Sequence, residues 1–286
     1  MRVLLLRIAV VVVPVMLVLG VLHHFGPDLR RARMVSDLPD GYGVLREIPE
    51  YAIYGELEND RAVVASEVLE RFTAAVKSEF GRNFRLEPPG SRVDVIVFSS
   101  HGDLSDYGRA RFRTDFDRNG GFYVPSDRVL AVIDRGDFEA MLRALFHEGT
   151  HLMLDTWVEG AGHAWSLWLN EGIATWFEDS RIDGRGIRLG GVSPGTLSVL
   201  RRGGWIPLPR LLRATPEDFR GESNSLFYSE SCLLVDFLMR EECRPRFAEY
   251  FEKERKPGPV RPGVFREILG DPEALDADLR AWLRTK

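Results

Sequence analysis

His147-Glu148-Gly149-Thr150-His151, followed by Trp168-Leu169-Asn170-Glu171-Gly172, is the stretch from which the rest of the chain can be read. On a helix with 3.6 residues per turn, positions i and i+4 share a face, so His147 and His151 can turn two imidazoles toward one point. Zinc accepts imidazole nitrogen at about 2.0–2.1 Å, and a catalytic zinc takes three protein ligands and keeps a fourth position for water. Glu171 is the natural third ligand. Glu148, beside the first imidazole, is placed to take a proton from that water. The flanks favour helices. Asp137 is an N-cap for a helix over Asp137–Leu154, whose buried side is Phe138, Leu142, Leu145, Phe146, Leu152 and Leu154. Trp165–Phe177 has the same period through Trp165, Leu169, Ile173 and Trp176, and Glu171 lies off that stripe. Burying a carboxylate in such an aromatic-rich helix is costly without a partner, and a metal ion is one. The bland alternative is two surface helices with solvated His and Glu.

The two histidines and the downstream glutamate resemble the gluzincin clan of zinc metallopeptidases, and the chain as a whole is similar to small bacterial peptidase MA-like domains. Residues 147–178 carry the resemblance. Nineteen residues separate His151 from Glu171, the gap of the thermolysin-like branch, whereas the wording around Glu171 is closer to the aminopeptidase branch. The resemblance implies an α+β, zincin-like fold, with an N-terminal mixed sheet and helices, a mainly helical C-terminal subdomain, and an active-site cleft between them. It implies one Zn2+ per chain held by His147, His151 and Glu171, with Glu148 as general base and then general acid on a peptide or protein substrate. A tyrosine stabilises the oxyanion in such enzymes, and Tyr228, in Ser225-Leu226-Phe227-Tyr228-Ser229-Glu230-Ser231 at the start of a predicted helix, matches it. The other reading of Tyr228 is an aromatic that packs helices. His163 and Tyr123 are further donor candidates.

Two positions depart from the pattern. Thr175 stands where thermolysin-like enzymes carry an acid behind a ligating His; Glu178, just under a turn further on, is a candidate substitute. Gly120-Gly121-Phe122-Tyr123-Val124 sits where aminopeptidases carry a glutamate that binds a free N-terminus, and it has no carboxylate. Aminopeptidase specificity is therefore not expected. The rival reading is a non-catalytic binding module that keeps a gluzincin fold and zinc site; the four intact positions count against it. An intramembrane protease is excluded by Arg135, Asp137, Glu139 and Arg143, a charge density in and beside the zinc helix that no membrane span carries.

At 286 residues the chain can form one large domain or two closely packed subdomains, here divided as 51–155 and 156–286. A net charge of −5 gives no basic footprint, which excludes nucleic acid as a partner. Cys232 and Cys243 match no zinc-ribbon or redox spacing and are either a disulfide or a pair of buried thiols. Ile8–Leu22 is uncharged and apolar, and with Val3–Leu6 it is long enough to span a bilayer. Arg2 and Arg7 favour a cytoplasmic N-terminus, against which stand Arg30, Arg31 and Arg33. The expectation is a membrane protein with a single-pass anchor or uncleaved signal over 1–24 and an extracytoplasmic catalytic domain, or a secreted one if the segment is cleaved.

Residues 25–50, punctuated by Pro27, Pro39, Gly41, Gly43 and Pro49, read as a linker. Strands are expected at Tyr51–Leu57, Val93–Phe98, Phe122–Val124 and Val129–Ile133, the last two joined through Pro125-Ser126-Asp127-Arg128. Asp60–Phe80 has helical period. Arg109, Arg111 and Arg113 alternate in a strand-like run to Arg118 with one cationic face, either a contact for acidic peptide or a solvated edge. From Leu197 onward the chain reads as mainly helical.

Overall fold

The computed structural model describes residues 34–56, 60–84, 92–114, 116, 120–156, 165–183, 186–202, 204–256 and 263–286. Its N-terminal half is organised by strands. β1 (Tyr42–Glu47) pairs antiparallel with β2 (Tyr51–Glu56), which runs parallel to β3 (Val93–Phe98). β4 (Gly121–Val124) and β5 (Val129–Ile133) form the hairpin expected around Pro125–Arg128, and β5 completes the sheet by running parallel to β3. The order is β1-β2-β3-β5-β4, so the central strands are parallel and both edges antiparallel. β5 is buried throughout and β3 nearly so, as strands covered on both faces are.

Alternation along each strand divides the core in two. Val93, Val95 and Val97 face the larger core with α1 (Asp60–Phe84) and α3 (Phe138–Thr156). Ile96 and Phe98 face a smaller one with Leu104 and Tyr107 of α2 (His101–Phe112). The C-terminal half is helical: α4 (Leu167–Glu178), α5 (Pro194–Arg202), α6 (Leu208–Leu211), α7 (Asn224–Leu238), α8 (Arg244–Glu254), α9 (Val264–Leu269) and α10 (Pro272–Leu283). A two-stranded hairpin, β6 (Arg181–Asp183) and β7 (Gly186–Arg188), interrupts the helices. The whole is a mixed α+β architecture.

α4 is the hinge of the packing, lying against both α3 and α7. It approaches α7 so closely that a Cβ at Gly172 would stand 2.7 Å from the Ser231 carbonyl oxygen. Only glycine allows that contact.

Three expectations are corrected, and the choice between disulfide and thiols is decided. The sheet begins at Tyr42, and Met34 is buried in the smaller core, so part of the 25–50 stretch belongs to the domain and is not linker. Arg109 and Arg111 lie in the last turn of α2, and Arg113 caps it with a left-handed φ of 55°, so the cationic strand does not exist. Arg111 is instead buried between Asp37 (3.4 Å) and Asp127 (2.8 Å). The cysteines are both free thiols. Finally, the membrane localisation is not upheld: among the described residues no helix is long and apolar enough to cross a membrane. The longest, α1, carries Asp60, Glu67, Glu70, Arg71, Lys77 and Glu79 among its apolar positions, which fits one face on a core and one in water. The 1–24 segment that carried the expectation lies outside the described residues.

Candidate metal centre

α3 starts where Asp137 accepts the Ala140 N–H through Oδ1 (3.1 Å). Its buried side includes Leu145, Phe146, Gly149, Thr150, Leu152 and Met153. The two small residues inside the His147–His151 motif have separate packing tasks. A Cβ at Gly149 would sit 3.5 Å from Leu69 of α1, and the Thr150 hydroxyl donates back to the Phe146 carbonyl at 2.6 Å. With that side committed to the core, His147 and His151 are carried on the side facing α4.

α4 buries Trp168, Leu169, Ile173, Trp176 and Phe177, which leaves Asn170, Glu171 and Glu178 only partly covered. Its start is held from a distance. Glu254 of α8 accepts the Ser166 N–H (3.2 Å) and the Ser166 hydroxyl (2.6 Å), and Ser166 O in turn accepts the N–H groups of Leu169 and Asn170.

The two helices bring His147, His151 and Glu171 to one point. Glu171 Oε2 lies 3.5 Å from His147 Nε2 and 3.6 Å from His151 Nε2. One ligand atom from each lies within 4.8 Å of the other two. A tetrahedral ion with about 2.1 Å bonds spaces its ligands about 3.4 Å apart, so the spacing suits zinc. The second ring nitrogens are also engaged. His147 Nδ1 donates to Glu178 Oε1 (2.5 Å) and His151 Nδ1 to Asn170 Oδ1 (3.1 Å). In the neutral rings these bonds fix the tautomers and leave both Nε2 atoms with lone pairs toward Glu171. Glu171 Oε2 itself is buried and has no hydrogen-bond partner among the described residues. A buried carboxylate oxygen without a donor is costly, and a cation removes the cost. The donor set therefore fits zinc. The electrostatics agree. Burial alone would depress the His147 pKa, but the Glu171 and Glu178 carboxylates beside its two ring nitrogens outweigh it and raise it well above the usual imidazole value. Burial would raise the Glu171 pKa, yet the nearby His151 and His147 rings hold it below the ordinary carboxyl value. The site favours positive charge at its centre.

Glu148 and Tyr228 line a cleft of about 490 Å³ with His147. Burial raises the Glu148 carboxyl pKa against the pull of the two imidazoles. Gly121, at the start of edge strand β4, passes so close that an added Cβ would lie 3.2 Å from Glu148 Cγ and 2.6 Å from Ala131 O. The glycine gives the carboxylate its room. Tyr228 projects from α7, its ring centroid 6.4 Å from that of His147. Burial, and then the charges of Glu171, Glu148 and Glu178, push its phenol pKa above the ordinary value, so it stays a proton donor. Of the other donor candidates, Tyr123 spends its hydroxyl on Asp155 (3.0 Å), and His163 lies outside the described residues. Asn170 and Glu254 are site residues that periodicity did not reveal. The first carried a signal in its position next to Glu171; the second, far along the chain and inside a charged helix, carried none. The cleft draws on both 51–155 and 156–286. The chain matches no protein-family model, and no curated protein matches it.

Proposed function

We propose that this chain is a zinc-dependent metallopeptidase of gluzincin type, with a zincin-like arrangement of sheet, zinc helix and helical subdomain. The observation that carries the reading is the donorless, buried Oε2 of Glu171, facing the Nε2 atoms of His147 and His151 at 3.5 and 3.6 Å. His147, His151 and Glu171 would hold the ion. Zinc, when bound, supplies Lewis acidity: it lowers the pKa of water from about 15.7 to about 7 and polarises a carbonyl.

The chain's own residues do the rest. Glu148 takes the proton of the attacking water and passes it to the leaving amine; its raised pKa suits both directions of transfer. Tyr228, held as a neutral phenol, donates to the oxyanion that develops on the scissile carbonyl. β4 ends the sheet beside Glu148, and its outer edge supplies main-chain groups to an extended peptide. Glu178 and Asn170 orient the imidazoles throughout.

The test is metal analysis of the purified chain together with digestion of a broad peptide library, with and without chelator. The expected result is one zinc per chain and chelator-sensitive cleavage. Glu148→Gln keeps the zinc and loses about 10²–10⁴-fold in rate, while alanine at His147, His151 or Glu171 loses the metal. Stoichiometric zinc without cleavage would make the chain a binding module, and an active Glu148→Gln would remove Glu148 from the chemistry.

A further inference from the structure

One basic side chain lines the cleft beside the metal centre among the described residues. Arg143 stands four residues before His147 on α3 and so shares its face. Its nearest acid is Asp179, whose Oδ1 lies 3.8 Å away, beyond hydrogen-bonding reach. That same oxygen already accepts Arg181 Nη2 at 2.8 Å. Asp179 is thus shared by two arginines, Arg143 making the longer contact, and the Arg143 side chain is 38% exposed. Thr175, Thr196, Ser225 and Ser229 line the same cleft, beside the apolar Ala144 and Val199. Thr175 Oγ1 is buried and has no hydrogen-bond partner among the described residues, a second group prepared for something the chain does not supply.

A guanidinium with a long ion pair and no hydrogen bond of its own among the described residues, in a recess that also carries hydroxyls, is a poor receptor for an apolar side chain, which would strand those polar groups. It suits a planar anion, since the five donors of arginine form a rigid fork that matches a carboxylate. Glu148 and Glu178 line the same cleft and are the charges an incoming carboxylate must keep clear of; Glu178 is held against His147 Nδ1 at 2.5 Å, one turn along α3 from Arg143. We infer that Arg143 forms a carboxylate-binding subsite next to the metal centre, so that the preferred peptide carries an acidic side chain or its own C-terminal carboxylate close to the scissile bond. The inference rests on the reading of this cleft as a peptide site.

Binding and cleavage test it separately. Matched peptides carrying Glu, Gln or Lys at each scanned position, with free or amidated C-termini, are titrated into the zinc-loaded full chain bearing Glu148→Gln. The better of the carboxylate sources binds about tenfold to hundredfold more tightly than its neutral counterpart. Adding Arg143→Gln brings the acidic peptide down to the level of the neutral one, and Arg143→Lys restores part of the preference. A preference that follows the Glu side chain assigns the subsite to a side chain; one that follows amidation assigns it to the chain end. Equal binding of carboxylate and neutral peptides overturns the inference, as does an Arg143→Gln that weakens both by the same factor or loses the zinc. Wild-type cleavage without discrimination sinks the subsite alone, whereas discrimination in binding with no cleavage sinks the hydrolytic reading alone. If no peptide binds, both fall.

Discussion

Glu178 does for His147 what Asn170 does for His151: each accepts the Nδ1 proton and so turns Nε2 toward Glu171. The two acceptors differ in strength, because a carboxylate makes the imidazole a better donor to a metal than an amide oxygen does. Glu178→Ala is therefore expected to weaken zinc binding about 10–100-fold with the helix intact, and Glu178→Gln to weaken it less. Competition with a chromophoric chelator measures both, and equal affinities for wild type and Glu178→Ala would show the contact to be idle. The approach of His147 to His151 was legible in the sequence because helical geometry alone puts positions i and i+4 side by side. Glu178 was legible as a candidate because it stands two turns beyond Glu171 on one stripe. Arg143 and Asn170 were not, since their roles depend on where one helix lies against another. Tyr228 was legible only through resemblance, and its place in the cleft depends on α7 packing against α4.

Phe72 joins three of the helices that hold the site. It stacks on Phe146 of α3 with centroids 4.4 Å apart and meets Phe177 of α4 edge-on at 5.4 Å. It is fully buried and belongs to α1. Phe72→Ala is expected to cost about 3–5 kcal/mol through lost transfer energy and a cavity between α3 and α4. Val64→Ala, on the exposed side of the same helix, is expected to change stability by less than about 0.5 kcal/mol. Denaturant unfolding with chelator present compares them, and a similar loss for both would mean that Phe72 is not a keystone. The same helix shows why elements were legible unevenly. α1 and α3 repeat a helical period and β5 is a short unbroken apolar run, and those patterns sufficed except for the last turn of α1, beyond Phe80. β1 contains a register shift between Val44 and Arg46 and lies at an edge, so no alternation marks it. α2 was misread because its arginines happen to alternate. The stronger signal was local: Ser100 caps the helix by accepting the Asp103 N–H at 3.0 Å.

Buried acids fasten the helical half together and fix where α4 lies. Glu254 reaches back 88 residues to Ser166, and Asp236 of α7 accepts the indole N–H groups of Trp176 and Trp282. Glu230, buried on α7, accepts the Ile206 N–H at 2.6 Å. No sequence pattern identified these groups, because a buried glutamate in a helix looks like a solvated one until the chain folds its donor onto it. Glu230 has a measurable consequence for the whole molecule. Burial, opposed by the Ile206 N–H and aided by the charge of Asp276, pushes its carboxyl pKa up to about 8. In the unfolded chain a glutamate titrates near 4.3. Between those values the unfolded state releases a proton that the folded state keeps, so the contribution to stability is complete below the unfolded pKa and is lost as pH rises toward about 8. Glu230→Gln keeps the acceptor for Ile206 and removes the titration. Wild type is thus expected to lose on the order of 3–4 kcal/mol more than the variant between pH 5 and pH 8. Urea midpoints at closely spaced pH values, taken with chelator so that zinc ligation contributes nothing, read the difference directly. All other titrating groups are shared by the two proteins, so parallel profiles would mean that Glu230 ionises in the folded state as freely as it does in water.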